Sequence, residues 1–362
     1  MNDYIVSGIQ QIGIGVDDMK NAWKHYIEIF NMDIKILEDN SEAKLMLPYT
    51  GNQPQKRHAA IAINMQGGGG FEIWQYAERI PQKANFDIKI GDLGIFAAKM
   101  KSRNINSTYE LFKKNNDIRI LNEPQKSIDN LYSFFVKDKF GNVFQIVDNQ
   151  YVFSDEKKSS GGPVGSIIGV SDIKKSFPVY KDILGYDKVV YEGEGVYDEF
   201  LNLNGGEGRF KRVLLTHSNK RKGAFADLFG PSFIELIQST DRQPVKIFNN
   251  RFWGDLGFIH LCFDIRNMKA LKQKCKETGF PFTVDSFSDE NPVFDMGEAA
   301  GNFAYIEDPD GTLIEFVETF KIPIIKKLGI YLNLSKRKPD KTLPKILLKC
   351  LKFGRVKAKD LG

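Results

Sequence analysis

The chain repeats itself. The stretch VDDMKNAWKHYIEIFNMD (16–33) returns as VSDIKKSFPVYKDILGYD (170–187), and FEIWQ (71–75) returns as FIELIQ (233–238). GDLGIFAAKM (91–100) returns as GDLGFIHLCF (254–263), and DKFGNVFQIV (138–147) as DPDGTLIEFV (308–317). Four motifs recurring in one order mean one architecture built twice. A length of 362 residues suits two domains of ordinary size. We read residues 1–153 and 164–320 as those domains. Between them SDEKKSSGGP (154–163) is a polar, Gly/Ser-rich linker, and 321–362 is a separate tail.

Each domain repeats again within itself. After the strand QQIGIGV comes a helix over 17–30, in which Met19, Ala22, Trp23, Tyr26, Ile27 and Phe30 fall at helical spacing. Asp17 is a candidate cap. Three strands follow, around IKILE, RHAAIAIN and GFEIWQY. The second half opens with GIFAAKM and closes with YSFFVKD and NVFQIVD. The pattern is βαβββ, twice per domain, so the fold class is α+β. Pro178 should kink the helix over 172–184. The glycine runs QGGGGF (66–71) and NGGEGRFKR (204–212) lie between strands and lack the GxxxxGK spacing, so they read as turns and not as phosphate loops.

No apolar run approaches the roughly 18–20 residues that span a bilayer. The opening MNDYIVSGIQ lacks the cationic lead and apolar run of a secretory signal. Cys262, Cys275 and Cys350 are odd in number and form no CxxC, which argues against a disulfide framework or a cysteine-built zinc site. A reducing cytoplasm is the expected location. Charge is unevenly spread. Residues 321–362 carry 13 Lys/Arg and two acids, and the rest of the chain carries 38 basic and 44 acidic residues. In 344–356, Ile346, Leu347, Cys350, Leu351 and Phe353 cluster on one helical face, with Lys345, Lys349, Lys352 and Arg355 mostly elsewhere. Such a tail packs on the body or on a partner subunit, or lies on an anionic membrane. Nucleic acid is not an expected partner, because the interleaved aromatics of a stacking surface are missing.

The βαβββ repeat, the SFPVYKDILGYD signature and the EDPDGTLIEF ending resemble the vicinal oxygen chelate superfamily, which includes glyoxalase I, methylmalonyl-CoA epimerase, extradiol dioxygenases and bleomycin-resistance proteins. The resemblance covers residues 8–318. It implies that each domain forms an open cup of strands. It also implies that up to four side chains, on the first and last strands of the modules, hold a divalent metal in the cup. In the second domain those positions fall on Gly165, Glu235, His260 and Glu315. Strand alternation agrees: Phe233, Glu235 and Ile237 share a face, as do Phe258, His260 and Cys262, and Leu313, Glu315 and Val317. Two carboxylates among apolar neighbours need a partner or a metal, and no Lys or Arg lies within three residues on those strands. The expected site is one metal on Glu235, His260 and Glu315, with water or substrate where Gly165 leaves a place open. Mn, Fe, Co, Ni and Zn all suit such ligands.

The first domain carries Gln11, Glu72, Ala97 and Gln145 at the matching positions. No metal is expected there, and its role is structural or the binding of an organic molecule. The activity implied is that of a lyase or isomerase of the glyoxalase or epimerase kind, acting on a small oxygen-bearing substrate. The metal would serve as Lewis acid, and Glu235 or Glu315 would move the proton. Tyr305 stands ten residues before Glu315, as an active-site tyrosine does in extradiol dioxygenases. That chemistry needs two histidines, and Gly165 removes one, so a degenerate dioxygenase is a weaker alternative. A further histidine expected in the loop before Tyr305 is also missing from NPVFDMGEAAGNFAY. The other alternative is a non-catalytic binder of the bleomycin-resistance type. His25 is expected on the polar side of its helix, His58 exposed at a strand start, and His217 in a solvated basic loop.

Overall fold

The computed structural model describes residues 3–287, 294–295, 300–325 and 329–361. The first module comprises β1 (Ile5–Val16), a helix (Met19–Phe30), β2 (Ile34–Glu42), β3 (Lys56–Ile63) and β4 (Gly70–Tyr76). The second comprises β5 (Gly94–Ser102), a helix (Ile105–Lys113), β6 (Ile118–Ile120), β7 (Gln125–Lys126), β8 (Tyr132–Asp138) and β9 (Val143–Asp148). In the third, β10 (Ser160–Gly169) leads through a broken helix into β11 (Lys188–Gly195), β12 (Phe210–Thr216) and β13 (Phe233–Ser239). The fourth runs from β14 (Gly257–Arg266) through a helix (Met268–Thr278) to β15 (Val284–Asp285), β16 (Phe294–Asp295), β17 (Ala300–Glu307) and β18 (Leu313–Ile325), with β19 (Ile330–Asn333) beyond.

Local chemistry explains the elements. The first helix is capped by Asp18, not Asp17: its carboxylate accepts from the Asn21 backbone N–H. The helix stops at Asn31, which takes a left-handed φ of 53°. Pro178 cannot donate, and the helix Ile173–Phe177 widens there into a turn over Pro178–Ile183, with Leu184 N–H bonding back to Val179. His25 is buried, not on a polar face, with its ring edge-on to Phe140. Burial and nearby Lys139 push its pKa down to about 4.

The modules pair across the domains. One sheet runs β15-β17-β18-β14-β1-β4-β3-β2, and the other β11-β12-β13-β10-β5-β9-β8-β6. The first module therefore shares a sheet with the fourth, and the second with the third. The expected tandem βαβββ plan stands, but each cup is built from one half of each domain. The segments joining modules, 77–93 and 240–256, cross between the sheets and bond to each other: Leu93 N–H to Val245, and Ile247 N–H to Leu93. Arg242 binds Asp92 at 2.6 Å across the same crossing. The convex faces of both sheets and the helices share one core, in which Phe144 touches Phe30, Phe71 and Phe258. The cups open away from that core.

The linker is less free than its composition suggests, because Ser160–Pro163 begins β10. The first module's glycine loop lies against it. Gly162 N–H bonds to Gly67, and a Cβ on Gly162 would stand 2.1 Å from the Gly69 carbonyl oxygen.

The tail docks on the sheet of the first and fourth modules. Leu343, Leu348 and Leu351 are buried against Ile34, Ile63 and Phe225. Arg355 pairs with Asp33 at 2.6 Å and Glu156 at 2.8 Å. Ile346 and Phe353 stay exposed. No helix among the described residues is long and apolar enough to cross a membrane.

Candidate metal centre

Both glutamates and the histidine of the cup built from the first and fourth modules sit beside the strand pair at its centre. Gln11 lies on β1, Glu72 on β4, His260 on β14 and Glu315 on β18, the first and last strands of the two modules. Gly13 sits opposite Glu72 on one side of the ladder and His260 on the other. Having no side chain, it lets the two meet across β1; a Cβ there would stand 2.5 Å from His260 Cε1. An extra residue, Ile259, bulges β14 at this point, so that Gly13 faces His260 and Ile14 faces Phe258. The bulge sends Phe258 to the core side, against the simple alternation, and turns His260 into the cup.

Ligand atoms of Glu72, His260 and Glu315 lie within 4.8 Å of one another, and all three residues are buried. His260 Nε2 is 3.2 Å from Glu72 and 3.1 Å from Glu315. Burial opposes a charged imidazole, but Glu315 and then Glu72 outweigh it and raise the His260 pKa to about 9. Burial likewise pushes Glu315 up, and His260 brings it below the ordinary carboxylate range. Tyr305 is fully buried and donates its hydroxyl to Glu315 Oε1 at 2.8 Å. Gln11 directs its amide nitrogen at both carboxylates, 3.5 Å from Glu72 and 3.4 Å from Glu315, and its buried Oε1 has no partner among the described residues. Rotating that amide would aim the unpartnered oxygen at the same point. Arg57 stands at the rim, 3.4 Å from Glu72 and 2.8 Å from Asp39.

Two carboxylates, an imidazole nitrogen and an orphaned amide oxygen converging in a buried place fit a divalent cation. One contact opposes it. The Trp253 indole N–H donates to His260 Nδ1 at 3.3 Å, where a metal-bound imidazole would carry its own proton.

The family model for the Glyoxalase/Bleomycin resistance protein/Dioxygenase superfamily matches residues 8–146 and 164–316. The chain belongs to this superfamily. Among solved structures, glyoxalase I from Zea mays is similar in fold at 14% identity, with a TM-score of 0.52 over 86% of this chain and 92% of that one. A putative dioxygenase from Bacillus subtilis aligns at 12% identity and a TM-score of 0.55, over 87% of this chain and 86% of that one. A sequence search of curated proteins finds no significant match.

Within the superfamily's plan, two of the residues expected from sequence to share a site do so, His260 and Glu315, and Tyr305 touches Glu315. Glu235 does not join them. It lies on β13 in the other sheet, where Arg212 holds it at 2.6 Å and Lys99 at 2.6 Å. Those cations sit on the neighbouring strand β12 and on β5, so a search along its own strand could not find them. Gly165 also belongs to the other cup; a Cβ there would lie 2.3 Å from the Phe233 carbonyl oxygen, so it is no vacant ligand position here. The residue that sequence reasoning placed outside the site is Glu72. Its signal was present, since Gln11 and Glu72 occupy ligand positions of the first module, but only the module pairing brings them to His260. His58 is half-buried and lies 3.1 Å from Glu38, and His217 contacts the Asn219 carbonyl.

Proposed function

We propose that the chain is a divalent-metal enzyme of the lyase or isomerase kind, acting on a small substrate with adjacent oxygens, and that Glu72, His260, Glu315 and Gln11 hold the metal. The observation that carries this reading is the convergence of three buried ligand atoms within 4.8 Å beside the unpartnered Gln11 oxygen. A metal at that point supplies Lewis acidity to the substrate oxygens. The protein's own groups divide the remaining work. Glu315 is fixed by the Tyr305 hydroxyl. Glu72 is the less tethered carboxylate, with no polar contact shorter than 3.2 Å among the described residues, so the proton transfer falls to it. Trp74, Trp253 and Tyr305 wall the cup and keep water from the site. A two-histidine dioxygenase centre does not fit, because His25 packs on Phe140 at the shared core and His58 and His217 also lie outside this cup. The test is metal content by elemental analysis, followed by proton exchange at the carbon beside the carbonyl of 2-oxoaldehyde and 2-oxoacyl probes. Bound metal and exchange, both lost in Glu72→Ala, support the reading; a chain free of metal after growth and reconstitution overturns it.

For the tail, exposed Ile346 and Phe353 among lysines support peripheral contact with an anionic membrane or a second subunit. Flotation with anionic vesicles in low salt, compared between the chain and its Ile346→Ser/Phe353→Ser variant, tests the membrane arm.

A further inference from the structure

The second cup, built from the second and third modules, holds a cavity of about 300 Å³, within the range of small-molecule pockets. Its floor is polar and buried: Lys99 is 4% exposed, Ser133 2% and Gln145 0%. Its walls are apolar, with Leu214, Phe233 and Tyr151 among them, and Leu131 and Tyr132 stand half-exposed at its edge. Lys99 Nζ donates to Glu235 at 2.6 Å and to the Gln145 amide oxygen. An ammonium has three hydrogens, and these bonds use two. Ser133 Oγ accepts from Gln145 Nε2 at 3.0 Å, which leaves its own hydroxyl hydrogen to give. Two unspent donors therefore line one cavity.

The charges decide what they hold. Lys99 and Arg212 are balanced by Glu235 and Glu199, the latter 2.7 Å from Arg212. A carboxylate guest would enter as an uncompensated buried charge, with Asp129 and Asp148 also lining the cavity. A neutral acceptor meets no such penalty. We propose that this cup is a binding site for an uncharged, carbonyl-bearing molecule with an apolar body, its carbonyl oxygen taken by Lys99 and Ser133. The site is separate from the proposed metal centre and does not depend on it.

The full chain is titrated with acetophenone, ethylbenzene and benzoate by saturation-transfer NMR. Acetophenone should bind roughly tenfold more tightly than ethylbenzene, the value of a hydrogen bond to a charged donor, and more tightly than benzoate. Lys99→Met should remove that preference. Because Lys99→Met also disturbs Glu235, Ser133→Ala and Val147→Trp complete the test: the first should weaken acetophenone alone, and the second should block every probe. His260→Ala should change nothing here, which separates this cup from the metal centre. Equal binding of acetophenone and ethylbenzene, tighter binding of benzoate, acetophenone binding untouched by Ser133→Ala and Val147→Trp, or no binding at millimolar probe overturns the proposal.

Discussion

In the cup of the first and fourth modules, two carboxylates and an imidazole converge, with Arg57 at the edge. In the cup of the second and third, a lysine ammonium and a guanidinium enclose one carboxylate, and Arg212 itself lies against the rings of Tyr197 and Phe200. The backbones are repeats of one another, so topology does not separate the two. What differs is where the positive charge comes from. Buried carboxylates need a counter-charge. The second cup carries its own on β5 and β12; the first relies on His260, whose pKa its carboxylates raise to about 9, and on Arg57 at the rim, and the proposed divalent cation would take the place of the His260 proton.

The largest effect should come from exchanging that dependence. His260→Ala or Glu72→Ala should lower metal affinity at least roughly 100-fold, measured by elemental analysis and chelator competition. Glu235→Gln should leave metal content unchanged. Gly165→His, at the matching position in the other cup, should not tighten binding, since its Cβ meets the Phe233 carbonyl. Stripping the metal should lower unfolding stability by about 2.7 kcal/mol if the loaded sample held free metal at 100 times Kd. Loss of metal in Glu235→Gln but not in Glu72→Ala would reverse the assignment of the two cups.

The second cup should fail in a different way. Glu235→Ala leaves Lys99 and Arg212 facing each other with Glu199 as the remaining carboxylate, at a cost of about 3–5 kcal/mol in urea unfolding. The pH dependence has a definite sign. Burial alone would raise Glu235, but Arg212 and then Lys99 hold its pKa down to about 2 from 4.5. A depressed carboxylate stabilises the fold fully above the unfolded value and loses that contribution as pH falls through the folded one. The stability gap between the native chain and Glu235→Gln should therefore be constant above pH 4.5 and narrow between 4.5 and 2. A gap that persists at pH 2 would mean that the ion pair is not its source.

Much of this comparison was legible in the sequence. The four βαβββ modules and the faces of Glu235 and Glu315 follow from repeats and from period-two alternation, and the ligand positions from the family resemblance. Four things did not follow. The pairing of modules is set by long-range strand contacts such as β1 with β14, which leave no local pattern. The cations of Glu235 stand on neighbouring strands, and only register reveals them: Leu214 is opposite Glu235, and Arg212 lies two residues before it. The bulge at Ile259 breaks the alternation that seemed to align Phe258 with His260. The tail's lysines and arginines read as a free cationic surface, yet Lys352 and Arg355 spend their charge on Asp33 and Glu156 of the body.

The smallest effect separates the two cups through a single hydrogen. Arg212, the supporting group in the second cup, bonds Glu235 in the state it already occupies. Trp253 supports His260 in a state that a metal must undo. Its indole N–H points at Nδ1 from 3.3 Å, so it opposes every state with a proton on Nδ1, the imidazolium that Glu315 and Glu72 favour included. Ligation through Nε2 fixes a proton on Nδ1 and sets two donors face to face. Trp253→Phe removes the indole donor and keeps a ring against Trp74 and Tyr305, both within aromatic contact. Metal affinity should rise about 3- to 10-fold, the value of one ordinary hydrogen bond, when measured by chelator competition at fixed pH. In the native chain, metal loading should also change tryptophan emission, because Trp253 must turn from Nδ1. Unchanged emission, with affinity no higher in Trp253→Phe, would show that the indole does not oppose the metal and that the first cup is as ready for its cation as the second is for its own.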